Sequence, residues 1–248
     1  MRRIERRGLA RRRSAQRPRR QRPSSHGKEA NSTVIIRVQT GPNLREALQP
    51  AVDALLAGEL VAVPTETVYG LACDALNEAA VARLRAAKGR GDDHPLPVQV
   101  AQVSDLRTVA GVLPSAARQL AERFWPGPLT LVCPRAEAVP ALVSSGRNTV
   151  GVRIPDHPIA HALLKAVGRP LAVPSANRTG EPPLPSARAV ADVFGERVAV
   201  IIDWGAPFAA DAMPSTVVDA TVHPPKVLRE GALSTKEILT VCALNETA

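Results

Sequence analysis

From Thr33 almost to the C-terminus, short apolar runs alternate with amphipathic runs of helical period, and this alternation is what most constrains the fold. TVIIRV (33–38), ELVAVPT (59–65), LPVQVA (96–101), LTLVC (129–133), TVGVRIP (149–155) and PLAVPS (170–175) read as strands, as do VAVIID (198–203), STVVDAT (215–221) and KVLRE (226–230). Between them the spacing predicts helices over 42–57, 77–87, 114–124, 158–167, 186–194 and 234–243. The first carries Leu44, Leu48, Val52, Leu55 and Leu56 on one face with Gly58 closing it, and the second takes Asn77 as its cap. A chain that interleaves the two element types buries both by layering helices on a sheet. The expected fold class is therefore α/β, a single domain built on a twisted mixed sheet with flanking helices. No apolar run approaches the ~20 residues that cross a bilayer, so no membrane association is expected.

Charge is unevenly placed. The chain has 32 Lys+Arg against 23 Asp+Glu, but residues 1–28 hold 12 of the basic groups and one acid, leaving 20 basic against 22 acidic groups in the body. The net basicity thus belongs to a tail and does not make the folded part a nucleic-acid binder. With Pro, Ser, Gln and Arg and few large apolar residues, residues 1–30 are expected to form a disordered Arg-rich tail ahead of a domain over 31–243. The tail has the composition of an organelle transit peptide, of a basic arm, or of translation begun upstream of the true start, and these readings stay open. An aromatic content of 2% excludes stacking platforms for single-stranded nucleic acid. Cys73, Cys133 and Cys242 are odd in number and far apart, which excludes a disulfide framework or a CxxC site and points to a reducing, cytoplasmic environment.

There is no GxxxxGK[ST] loop, no intact GxGxxG, no HExxH and no GxSxG, so any nucleotide must be held in another way. His157 and His161 would share a helix face, but Pro158 and the lack of nearby ligands favour a solvated helix start over a metal site. Polar clusters at strand ends are the candidates, since α/β proteins place their sites there. VPTETVYGLACDA (63–75) puts hydroxyls and a carboxylate at a strand terminus, although an ordinary strand-to-loop junction would look the same. Lys88-Gly89-Arg90-Gly91 offers a point charge and a planar fork about a flexible backbone, against the plain alternative of cations offsetting a helix dipole. Ser175 and Asn177 can direct a hydroxyl and an amide to one side of a loop, or form an Asx-type turn. Ser215 with Arg229, and Arg153 closing an apolar strand, complete the set: a strand-end Arg is either paired or facing an anion.

These clusters fall within PTETVYGLACDA (64–75), AAKGR (86–90), HPL (94–96), FWPGPLTLV (124–132), TVGVRIPDHPIA (149–160), PSANRTGEP (174–182), STVVD (215–219) and LREGAL (228–233). In order and spacing they resemble the YrdC-like family, the L-threonylcarbamoyl-AMP synthases that begin synthesis of threonylcarbamoyladenosine in tRNA. The resemblance implies one α/β domain whose sheet has a basic concave groove. It also implies a nucleotidyltransferase that joins L-threonine, bicarbonate and ATP, with Mg²⁺ accompanying ATP. The family's KxR…SxN signature falls on Lys88, Arg90, Ser175 and Asn177, which would be the catalytic set. By the same resemblance Thr67, Gln99, Arg153, Ser175 and Ser215 would contact L-threonine, and Arg90, His94, Thr149, Asn177 and Arg229 would hold ATP. No protein-bound metal is implied. The chain departs from the family pattern at Gly91, at His94 and at Gln99, where a histidine is usual; an amide there can still make contacts but cannot titrate near neutrality. tRNA or RNA contact through the groove and tail, and a transferase partner receiving the product, are further expectations. Carbamoylation of another acceptor, and RNA binding without catalysis, are the competing readings.

Overall fold

The computed structural model describes residues 33–89, 91, 93–209 and 211–243; the predicted tail, Arg90 and Asp92 lie outside the described residues. The described residues from Thr33 onward form one compact unit. In chain order its strands are β1 Val34–Arg37, β2 Val61–Val63, β3 Gly70–Asp74, β4 Val98–Gln99 and β5 Leu129–Pro134. They continue with β6 Thr149–Arg153, β7 Leu171–Ala172, β8 Val200–Asp203, β9 Thr216–Asp219 and β10 Lys226–Arg229. The helices are α1 Leu44–Ala47, α2 Gln49–Leu56, α3 Glu78–Lys88, α4 Ser115–Phe124, α5 Ala141–Ser144, α6 Pro158–Val167, α7 Ala187–Phe194 and α8 Thr235–Ala243.

The strands form one mixed sheet in the order β1-β8-β2-β3-β7-β4-β6-β5-β9-β10. β8 lies parallel to β1 and β2, β4 to β6, and β5 to β9, while the remaining pairs are antiparallel. In β8, β2 and β3 both faces are covered, whereas the edge strand β1 is largely exposed. Leu60, Ala62, Leu71, Cys73 and Ile201 enter a core shared with α3, α4, α7 and α8, and the alternate residues Val61, Val63, Ala72, Val200 and Ile202 enter a second core under α1, α2 and α6. Apolar residues along these three strands, up to the terminal Asp74 and Asp203, are what burial on both faces demands.

Local chemistry sets the helix limits. Asn77 Oδ1 accepts from the Ala80 amide at 3.1 Å and Ser186 Oγ from the Ala189 amide at 3.2 Å, each satisfying a first-turn donor. The helix predicted over 42–57 is divided into α1 and α2, because Pro50 has no amide hydrogen for the Glu46 carbonyl and its ring crowds that turn. Gly70–Asp74 was not foreseen as a strand, yet all five residues are buried between β2 and β7.

Candidate active site

In the other half of the sheet the same two-residue period has a different outcome. On β5 Leu129, Leu131 and Cys133 enter the core, while Thr130 and Val132 face the opposite side. On β6 Val150 and Val152 are core residues and Thr149, Gly151 and Arg153 face out; on β9 Val218 is core while Val217 and Asp219, with Ser215 just ahead of the strand, face out. The outward residues form the floor of a cleft of about 330 Å³. Thr65, Thr67, Val68, Pro95–Pro97, Pro174–Ser175 and Leu228–Arg229 supply its walls.

Two glycines let those walls close on one another. The Leu71 amide donates to the Pro174 carbonyl at 2.9 Å and the Ala176 amide to the Tyr69 carbonyl at 2.6 Å, so PTETVYGL and PSAN are zipped side by side. A Cβ on Gly70 would strike Val173 there, and a Cβ on Gly231 would strike the Pro214 carbonyl and the backbone of Ser215. Both positions need glycine for close approach.

The structure brings Thr67, Gln99, Thr149, Arg153, Ser175, Ser215 and Arg229 to the cleft. Gln99, buried on β4, faces it. Arg153 is 5% exposed; its Nε donates to the Gly127 carbonyl at 3.0 Å and its Nη1 and Nη2 both donate to Thr67 Oγ1 at 3.2 Å. Arg229 Nη2 donates to the Ser215 carbonyl at 2.7 Å. Although Arg229 as a whole is exposed, its guanidinium is tucked against Ser215; enclosure by the protein, and then the charge of Arg153, lower its pKa from the ordinary arginine value. Arg229, together with the guanidinium of Arg153 that Glu66 pairs from behind at 2.6 Å, gives the cleft charge and planar donors suited to an anionic group.

Lys88 and Asn177 are elsewhere. The Lys88 ammonium, 3% exposed at the end of α3, donates to the Ser175 carbonyl at 2.5 Å, the Asn177 carbonyl at 2.6 Å and Asn177 Oδ1 at 3.4 Å. Three acceptors match its three hydrogens, so the cation expected on phosphate is engaged by the 174–177 loop. Asn177 is equally committed: its Oδ1 accepts from Ser175 Oγ at 2.5 Å and its Nδ2 donates to the carbonyls of Arg178 and Glu181. Lys88, Ser175 and Asn177 are thus one network that rigidifies the loop and leaves the Ser175 oxygen as an acceptor at the cleft wall. Arg90 lies outside the described residues. His94 is half-exposed and paired with Asp93 at 2.6 Å, a contact that holds the Asp93 carboxyl below the usual carboxylate range.

Sequence reasoning missed Thr130, whose Oγ1 lies 2.8 Å from Ser215 Oγ; a threonine within the apolar alternation of LTLVC was the available signal. It also misjudged His157, expected in solvent and found 6% exposed against Trp204, ring centroids 5.1 Å apart. Burial lowers its pKa, opposed by Glu66 and then Asp156. Among the described residues no group of three or more His, Cys, Asp or Glu side chains could hold a metal, and no helix is long and apolar enough to cross a membrane.

The family model described as "Telomere recombination" (Sua5/YciO/YrdC) matches residues 53–231. The chain is similar to the threonylcarbamoyl-AMP synthase of Pyrococcus abyssi, 45% identical over 211 residues, covering 83% of this chain and 60% of that protein. It is 42% identical over 189 residues to the Bacillus subtilis protein of the same name, covering 76% of this chain and 54% of that protein. The chain therefore spans between half and two thirds of the length of these two relatives. The crystal structure of P. abyssi Sua5 complexed with L-threonine aligns with a TM-score of 0.79 at 44% identity, covering 84% of this chain and 60% of that one. Motifs, sheet order and these likenesses converge: the chain belongs to the Sua5/YciO/YrdC family.

Proposed function

We propose that this chain is a nucleotidyltransferase that forms L-threonylcarbamoyladenylate and pyrophosphate from L-threonine, bicarbonate and ATP, for threonylcarbamoyladenosine synthesis in tRNA. The observation that carries this reading is the open sheet face: hydroxyls of Thr67 and Ser215, the Gln99 amide and the guanidinium groups of Arg153 and Arg229 converge on one cleft. That set suits a hydroxylated amino acid lying beside an anionic nucleotide. The relatives named threonylcarbamoyl-AMP synthase and the threonine-bound Pyrococcus structure support it.

The chemistry requires no enzyme nucleophile. The threonine nitrogen adds to the carbon of bicarbonate and water is lost. A carbamate oxygen then attacks the α-phosphorus, whose bond to the bridging oxygen breaks as pyrophosphate leaves. The protein's part is positioning and charge compensation. In this reading Thr67, Gln99, Arg153 and Ser215 hold L-threonine; Arg229, Thr149, His94 and Arg90 serve the nucleotide; and Lys88 and Asn177 act by holding Ser175 in place. Mg²⁺ would travel with ATP and neutralise charge on the departing pyrophosphate. Among the described residues Asp219 is the one carboxylate lining the cleft, and its Oδ1 already accepts from Thr221, a donor set that fits an ion carried on phosphate oxygens better than a protein-built cage. A cytoplasmic location, tRNA as the eventual acceptor and a transferase that receives the adenylate go with this activity.

The test is the full chain with ATP, Mg²⁺, bicarbonate and each amino acid in turn, following pyrophosphate release and the adduct by mass spectrometry. Release that requires both L-threonine and bicarbonate is expected. Release indifferent to the amino acid, or an acceptor other than threonine, would overturn the reading.

A further inference from the structure

Glu66 stands between the two threonines of the Thr65–Thr67 run and does not line the cleft. Its Oε1 is 2.6 Å from Arg153 Nη2, with side-chain exposures of 18% and 7%. The contact is an ion pair in which no N–H lines up on the oxygen, so neither Glu66 oxygen has a hydrogen-bond partner among the described residues. Glu66 also lies within electrostatic reach of His157, whose ring nitrogens are likewise without a partner. His157 is neutral near pH 7, so the guanidinium of Arg153 is the counter-charge that holds Glu66. Each ion of the pair would be left exposed to a poorly solvating interior by loss of the other.

The donor inventory around this pair fixes the sense of one hydrogen bond. Arg153 directs Nη1 and Nη2 at the same Thr67 oxygen, which occupies both of its lone pairs. Thr65 cannot supply a further donor, because its own hydrogen goes to the Val68 carbonyl at 2.7 Å, and its Oγ1 already accepts from the amides of Thr67 at 3.3 Å and Val68 at 3.2 Å. The Thr67 hydroxyl therefore has only its hydrogen to offer, to a ligand in the cleft or as a third, crowded bond to Thr65 Oγ1 at 2.9 Å. One hydrogen on Arg153 Nη1 also remains uncommitted, since Nε serves Gly127, Nη1 gives its other hydrogen to Thr67, and Nη2 serves Thr67 while lying against Glu66 as an ion pair.

We infer that Glu66 is a positioning residue that sets the polarity of the amino-acid subsite: by fixing and neutralising Arg153 it makes Thr67 an obligate donor, so that the substrate group seated there is an acceptor, a carboxylate oxygen. This rests on the synthase reading above. An ammonium or a donating hydroxyl at that point would face hydrogens from both Thr67 and Arg153. Without the Glu66 charge the guanidinium is free to turn away from Thr67, and the hydroxyl then has a lone pair as well as a hydrogen to present.

Steady-state pyrophosphate release by the full chain separates the possibilities. Glu66→Gln, close to isosteric but uncharged, is expected to raise the KM for L-threonine about tenfold or more, roughly the effect of one misplaced charged contact, with the KM for ATP little changed. Glu66→Asp, which keeps the charge, recovers most of that loss; should Glu66→Gln fail to fold, Asp against wild type reads the same contact as a smaller rise in the same constant. In a Thr67→Val background Glu66→Gln adds little, because its route to the substrate is gone. An unchanged KM for L-threonine in Glu66→Gln, an Asp variant no better than Gln, or additive losses with Thr67→Val would overturn the inference while leaving the synthase reading intact. A wild-type protein without threonine-dependent release would overturn both.

Discussion

The two halves of the sheet are built from the same kind of strand and come to opposite ends. In β8, β2 and β3 both faces carry apolar side chains and both are roofed by helices, so these strands are interior, with β1 as their exposed edge. From β4 to β9 one face enters the core and the other, bearing Gln99, Thr130, Arg153, Ser215 and Asp219, has no helix over it among the described residues and floors the cleft. The site is made by withholding one layer of helices from half of a continuous sheet. Stability is thereby concentrated in the covered half, and polar side chains in the open half are held at strand precision without the desolvation of a closed core.

The largest effect should come from the covered half. Leu71 is 0% exposed in the core of β3, and Leu71→Ala should lower unfolding free energy by about 2–5 kcal/mol, the range for buried leucine truncation. Thr130→Val, on the open face of β5, should cost no more than about 1 kcal/mol, the worth of one hydrogen bond, here the one to Ser215. The same variant should weaken L-threonine use. Urea unfolding beside turnover measures both, and a Thr130→Val protein as destabilised as Leu71→Ala would break the distinction between the halves.

What could be read in advance follows the same division. Strands β2, β5, β6 and β8 were legible because their apolar runs are long and β-branched, and Arg153 and Ser215 stood out because a polar residue closing or opening such a run needs a reason, whereas Gln99 was marked only by the family resemblance. Gly70–Asp74 escaped because a polar Thr-Glu-Thr run and a Tyr-Gly step precede it, which on local chemistry mark a turn; its partners β2 and β7 make it a strand. The fate of Lys88 was hidden for a different reason. Its acceptors are mostly backbone carbonyls, which carry no signature in sequence, so a cation near glycines looked like a phosphate ligand. His157 lies between exposed Asp156 and Pro158, and what buries it is Trp204, 47 positions on.

An intermediate effect is expected at the joint between the halves, where Lys88 ties α3 to the loop after β7. Lys88→Met keeps the length of the side chain and removes the ammonium, leaving the Ser175 and Asn177 oxygens without their donor. A loss of about 1–3 kcal/mol is expected, the usual cost of unsatisfied buried polar groups, together with faster hydrogen exchange at the Ala176 amide, which bonds Tyr69 across the zipped loop. Abolished turnover with Ala176 protection unchanged would show that Lys88 acts on the nucleotide itself, and would move it from scaffold to site.

The smallest effect should be a pH dependence seated between the covered half, which supplies Trp204, and the open half, which supplies Arg153 and its partner Glu66. Burial depresses the His157 pKa, whereas in the unfolded chain the ring titrates near 6.5. On acidification through that value the unfolded state takes up a proton that the folded state still refuses. Stability should therefore be full above about pH 6.5 and decline below it, until the folded pKa is reached. Glu66 and then Asp156 favour the protonated ring and partly offset burial, so the decline is shallow. His157→Phe retains an aromatic partner for Trp204 and removes the titration; urea midpoints compared between about pH 7.5 and 5.5 should fall less in the variant than in the wild type. Parallel declines would assign the acid sensitivity to the carboxylates of the open face and leave His157 as packing alone.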